Sequence, residues 1–344
     1  MLLGLLVIAI LAAWSVEQLF TGAAPRSGSM ATPHLTFAGH DLGVWTVRFS
    51  PSSDVVASAG IDSVVRVWQR SDGIEVRSFQ HQVGVPALAF SPDGERIATG
   101  SYDGIVRLWD VTDGQLIAIA PAHDGTVWGL TFSPDGRMVA SGSVHGAVRL
   151  WNVSSGEVKS LAGHREGDVW SLAFSPDGET LVSAGHDHLI KIWDVSSGDV
   201  IRSLDEHSEA IVSVAYNPDG TMLASGSDDK TIKLWDTRDW SVTRTLTGES
   251  ECVYGVAFGP DGTTLISGSR DKKVLGEFLQ YHFGYTGSAN GVTLRIWDVE
   301  SGELLQSMNE HSDDVSSVAY SADGKFLASA SQDSTVRIWR VFDF

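Results

Sequence analysis

The tightest constraint on this chain is a spacing. Trp68, Trp109, Trp151, Trp193, Trp235, Trp297 and Trp339 each end a short alternating run, and successive members lie 41, 42, 42, 42, 62 and 42 residues apart. A fixed period of that length is the mark of one structural unit used repeatedly. The unit is clearest from Glu206 to Asp236. Ile211 to Tyr216 is rich in β-branched and aromatic residues and predicts a strand. Asn217-Pro218-Asp219-Gly220 predicts a turn, because Pro presets φ, Asp bonds its own backbone and Gly accepts positive φ. Thr221 to Gly226 and Thr231 to Trp235 predict two more strands around the polar turn Asp228-Asp229-Lys230, and Trp240 to Leu246 predicts a fourth. Four short antiparallel strands cannot bury both faces alone, so such units must stack.

The period, a Gly-His-like start and a Trp-Asp-like end in seven registered copies resemble the WD-repeat β-propeller family, from about Leu35 to the C-terminus. The resemblance implies an all-β fold, a seven-bladed propeller of four-stranded antiparallel blades. Leu35-Thr36-Phe37 stands alone ahead of His40, while the last copy ends at Phe344 with no room for a fourth strand. The N-terminal strand is therefore expected to join the last blade beside Val336 to Trp339, leaving no edge unpaired, as propellers of this family close. The propeller domain is read as residues 34–344, preceded by a Gly/Ala/Ser/Pro linker at 21–33 and an apolar segment at 1–20.

A His, a Ser or Thr, an Asp and the Trp recur at fixed spacing. A Ser-His-Asp set suggests a hydrolase, but an active site is normally built once, whereas this set repeats. The resemblance implies a structural relay instead, in which the indole N–H bonds the hydroxyl, the hydroxyl bonds His, and Asp holds His. Carried over by position, blade one has His40, Ser58, Asp62 and Trp68; blade two His81, Thr99, Asp103 and Trp109. Blade four has His164, Ser183, Asp187 and Trp193; blade five His207, Ser225, Asp229 and Trp235; blade seven His311, Ser329, Asp333 and Trp339. Two blades depart. Blade three keeps His123, Ser141 and Trp151 but has His145 for the Asp, and blade six keeps Ser267, Asp271 and Trp297 but has Glu249 for the His. His186-Asp187-His188 is not read as a metal cluster, because adjacent strand residues face opposite ways. No catalytic residue, cofactor or metal site is expected.

Five residues past the relay His, a side chain should reach the rim of the central channel: Trp45, Pro86, Val212, Tyr254 and Ser316, with Trp128 in blade three and Trp170, one residue further on, in blade four. Such aromatics either anchor a partner or stack between blades as core. The long step places a surplus of 20 residues at 272–291, in the turn between strands two and three of blade six. It carries Phe278, Tyr281, Phe283 and Tyr285 and returns through Gly287-Ser288-Ala289-Asn290-Gly291. Three readings stand for it: partner contact, folding back on the propeller, or disorder.

The formal net charge of −19 and the lack of a basic run exclude phosphate-backbone binding, so no nucleic acid is expected. Cys252, the single cysteine, excludes an intramolecular disulfide and a thiolate zinc cluster. Met1 to Val16 is uncharged and almost wholly apolar, between the lengths of a signal core and a spanning helix. It reads as a membrane anchor, a cleaved signal peptide, or sequence ahead of a start at Met30, giving a membrane-associated, secreted or cytoplasmic protein respectively. The functional expectation is a non-enzymatic, monomeric protein-interaction scaffold that uses the channel rim and the 272–291 arm. The rival reading is a small-ligand sensor or propeller enzyme that uses the channel mouth.

Overall fold

The computed structural model describes residues 30–164, 167–248, 251–270 and 294–342. Its strands form seven four-stranded antiparallel sheets. Blade five comprises Ile211–Tyr216, Met222–Ser227, Ile232–Asp236 and Val242–Leu246, paired in chain order. Its first turn forms as the residue types dictate: Asp219 Oδ1 accepts from the Thr221 N–H at 2.9 Å, and Gly220 takes a φ of 75°. The blade-six insertion, Asp271 and Glu249, and residues 1–20 all lie outside the described residues. No helix among the described residues is long and apolar enough to cross a membrane.

The ring closes through the N-terminal strand. Ala31–Phe37 pairs antiparallel with Val336–Val341, from Phe37 opposite Val336 to Ala31 opposite Val341. The strand is longer than Leu35 to Phe37 and takes in 31–33, which the sequence reading assigned to the linker. The register shifts between Pro33 and Leu35. This strand is the outer edge of its blade, where a residue without an N–H is tolerated, and the bulge lets pairing continue past Pro33. The Gln306 side chain of blade six clamps the strand's start, with its Oε1 accepting from Ala31 N at 2.9 Å and its Nε2 donating to Ala31 O at 2.7 Å.

The core lies between blades. Trp235 of blade five packs with Val182, Ile190 and Ile192 of blade four, and comparable clusters join each neighbouring pair. The closing joint is built the same way: Phe37, Val336 and Ile338 of blade seven meet Val44, Val47 and Trp68 of blade one. Phe37 stacks on Trp68 with ring centroids 5.1 Å apart. Removing residues 1–38 should therefore lower the melting temperature sharply, since it takes away an edge strand and half of a joint, while removing 1–29 should leave it unchanged. Equal melting temperatures for the two truncations would refute this closure.

Candidate interaction face and the blade relays

Among the described residues the relay is complete in four blades. In blade five the Trp235 indole N–H donates to Ser225 Oγ at 2.9 Å, and that hydroxyl lies 2.7 Å from His207 Nε2. His207 Nδ1 lies 2.7 Å from Asp229 Oδ2. A carboxylate only accepts, so Nδ1 carries the proton, Nε2 accepts from the hydroxyl, and the hydroxyl oxygen accepts from Trp235. The same chain runs through His40, Ser58, Asp62 and Trp68, through His164, Ser183, Asp187 and Trp193, and through His311, Ser329, Asp333 and Trp339. Ser58, Ser183, Ser225 and Ser329 are all 0 % exposed, so no substrate can reach them as nucleophiles. Burial would raise the carboxyl pKa of Asp229 and Asp333, but the bonds from His207 and Thr231, and from His311 and Thr335, hold both well below the usual range.

Blade two departs from the expected relay. Trp109 donates to Thr99 Oγ1 at 3.0 Å, but neither ring nitrogen of His81 has a partner among the described protein atoms. Asp103 turns away. Arg107 Nη2 holds its Oδ2 at 2.8 Å, and the Ile105 N–H reaches its Oδ1 at 3.0 Å, with Ser101 bonded to the same oxygen. Arg66, at the equivalent place in blade one, reaches Glu75 instead and leaves Asp62 to His40, whereas the residue facing Trp109 in blade two is Leu116 and Arg107 takes Asp103 as its carboxylate. In blade three His123 Nε2 keeps Ser141 Oγ at 2.8 Å, but His123 Nδ1 has no partner among the described residues, and His145 is exposed at a φ of 59°. In blade six the described part of the set is Trp297 Nε1 donating to Ser267 Oγ at 2.9 Å.

The channel-facing strands share a device that sequence reading missed. In six blades the register skips one residue near the start of the innermost strand: Trp45, Trp128, Trp170, Val212, Tyr254 and Ser316. These are the expected rim positions. A bulge leaves the extra residue unpaired and re-aims its side chain. Blade two has Pro86 at that position, and its innermost strand is only Ala87–Phe90. The residue after the bulge often ties the next blade: Ser171 Oγ accepts from Val214 N at 3.0 Å, and Ser213 Oγ accepts from Val256 N at 3.1 Å.

The rim residues line a channel of about 990 Å³. The rim has two unlike sides. On one, Trp45 and Trp128 meet edge-to-face at 6.4 Å, and Tyr102 joins them, 5.8 Å from Trp128 and accepting from Trp45 Nε1 at 2.8 Å. Trp170 continues this side, edge-on to His186 at 6.0 Å. The rings are half-buried, and the Trp128 Nε1 has no acceptor among the described protein atoms. They therefore stack on one another and still present area to the opening. On the other side the rim is polar. Tyr254 stands near Arg270 and Asp314, its hydroxyl pKa pushed up to about 12 by burial first and Asp314 second. Ser316 Oγ accepts from Gln332 Nε2 at 2.8 Å. Phe278, Tyr281, Phe283 and Tyr285 lie outside the described residues.

The family model described as "WD domain, G-beta repeat" matches at residues 31–69, 73–110, 114–152, 155–194, 198–236, 240–275 and 302–340. The chain belongs to this WD-repeat family. Its matched repeats start one strand ahead of the blades, so that the first begins on the strand that completes blade seven. Periodic tryptophan protein 2 of Saccharomyces cerevisiae is 39 % identical over 56 residues, covering 16 % of this chain and 6 % of that protein. WD repeat and SOCS box-containing protein 1 of Danio rerio is 42 % identical over 59 residues, 17 % of this chain and 14 % of that protein. Eukaryotic translation initiation factor 3 subunit I of Culex quinquefasciatus is 41 % identical over 54 residues, 16 % of each chain. The aligned stretches thus span a small part of each relative.

Two predictions come from the relays. Burial first, then Arg107 and Arg149, lowers His81 and His123 to about 4, so folding favours the neutral ring. Their contribution is whole above the unfolded value near 6.5 and is lost as pH falls to about 4, by at most on the order of 3 kcal/mol each. The depressed Asp229 and Asp333 add a second loss, below the ordinary carboxylate value of 3.8. Melting followed against pH should therefore fall in two stages. Arg107→Lys should free Asp103 to bond His81, raising the His81 pKa in an NMR titration and shrinking the first stage; an unmoved His81 would show that Arg107 is not the competitor. Separately, His145→Asp should supply His123 Nδ1 with a partner and leave the melting temperature level or raised, and a clear drop would mean that the left-handed turn around His145 resists the change.

Proposed function

We propose that this propeller is a non-catalytic protein-interaction scaffold whose main contact surface is the aromatic side of the channel rim. The observation that carries this reading is the half-buried cluster of Trp45, Tyr102 and Trp128, flanked by Trp170. Half-exposed indoles in a concave opening are the composition of an interface hot spot. Family membership supports the coarse reading, since WD-repeat propellers generally bind other proteins. The chain's formal net charge of −19 serves solubility and partner choice. The arm at 272–291, with Phe278, Tyr281, Phe283 and Tyr285, is a second contact surface in this reading.

The test compares three forms of the full chain in affinity capture from their native cells, with melting temperature measured alongside: Trp128→Ala, Trp170→Ala, and a chain from which residues 272–291 are deleted to restore the 42-residue step. Truncating a hot-spot indole costs at least about 2 kcal/mol of binding, roughly a thirtyfold weakening. The rim variants should keep their melting temperature and lose partners. The shortened chain should lose a different subset. Full retention of every partner by both rim variants would overturn the rim reading.

A further inference from the structure

Three residues past each rim position, the channel wall carries Ala89, Thr131, Ala173, Ala215, Ala257 and Ala319, and in blade one Arg48. Six small side chains leave room for one long cation. Arg48 is the only cation among the described residues that line the channel, in a chain of formal charge −19. Its Nη1 donates to Val47 O at 2.7 Å and to Ser317 Oγ at 2.8 Å. That nitrogen ties blade one to blade seven at the closing joint. Among the described residues Arg48 makes no ion pair, and its Nε and Nη2 are left to the channel. Burial lowers its pKa from the ordinary arginine value, though a guanidinium remains charged.

The carboxylates that line the channel are Asp168 and Asp228. Both sit at the rim end. Asp168 precedes its rim residue by two positions and Arg48 follows its own by three, so roughly 16 Å of strand separates their levels at about 3.3 Å per residue. A second observation lies beside Arg48 in sequence. Thr46 lines the same channel, is 4 % exposed, and its hydroxyl has no hydrogen-bond partner among the described residues. An unpaired cation and an unsatisfied buried hydroxyl both gain from an incoming anion.

We propose that the central channel is a binding site for a small oxyanion, a carboxylate or phosphate group, which the free edge of the Arg48 guanidinium grips with the Thr46 hydroxyl beside it. Two oxygens of either anion match the two remaining donors of the fork, Nε and Nη2. The proposal is independent of the rim reading, because it does not involve Trp128, Trp170 or residues 272–291.

The experiment titrates the full chain with inorganic phosphate and, separately, with acetate, against chloride at constant ionic strength. The Arg48 Nε signal in NMR and the melting temperature are followed. The expected result is a saturable shift of that signal and a rise in melting temperature that chloride does not give. Arg48→Lys should bind about tenfold more weakly, having lost the fork, and Arg48→Met should not respond. A response to both ions identifies a general oxyanion site, and a response to one identifies the ligand's chemistry. Should Arg48→Met fail to fold, the wild-type NMR titration decides alone. No saturable shift in the wild type, or an undiminished melting response in Arg48→Met, would reduce Arg48 to a tie between blades.

Discussion

Every blade here depends on its neighbours to cover its faces, and that dependence runs in a circle. A four-stranded sheet of this size is unstable alone. The tryptophan of each blade packs against the blade before it, and Trp68 of blade one is no exception: it is buried against Phe37, Val336 and Ile338 of blade seven. In a row of blades, the ends would each expose an apolar face. In a ring, one faulty joint would expose two. The N-terminal strand therefore does more than fill an edge. It supplies Phe37, the stacking partner that makes the last joint equal to Phe79 on Trp109 in the next one round, at 5.1 and 5.3 Å.

The relays are secondary to that burial, and blade two is the proof by omission. Its His81 has lost both partners, yet the blade forms with its four strands in order. The magnitudes agree. A net hydrogen bond contributes about 0.5–1.5 kcal/mol, while each fully buried aliphatic or aromatic side chain contributes about 1.5–3 kcal/mol, and every joint holds several. What the relay adds is position. It fixes the loop that carries His, and so the start of the innermost strand, where the bulge lies. His81 without a relay and Pro86 without a bulge occur in the same blade.

The fold was legible because its cause is local and repeated. The Trp spacing, the Pro-Asp-Gly turns and the orphan strand before His40 each correspond to an element of the structure. The rim positions were legible too, by counting from His, although the bulge that aims them was not. What escaped the sequence was competition between side chains at equal spacing. Asp103 stands where Asp62 stands and Arg107 where Arg66 stands, but Arg66 is drawn to Glu75 at 2.6 Å while Arg107 holds Asp103 at 2.8 Å. Pro86 was the one signal available for that blade. Tyr102 escaped because it sits in a turn of blade two and joins the rim only through Trp45 and Trp128 of the neighbouring blades.

A repeat protein offers a comparison that a single-copy fold does not. Positions made equivalent by the repeat have nearly the same backbone, so a difference in residue there is not demanded by the fold. The core positions barely vary, because the joints are alike. The rim and the channel wall vary strongly: indoles at Trp45, Trp128 and Trp170 stand against Val212 and Ser316, and Arg48 stands against alanines and a threonine. Folding alone would accept the small residue at each of these places, and burying an arginine where alanine suffices carries a desolvation cost. These rim and wall differences share one continuous space, the opening and its channel. That shared space is one that no single blade could form, since its wall takes one strand from each of the seven.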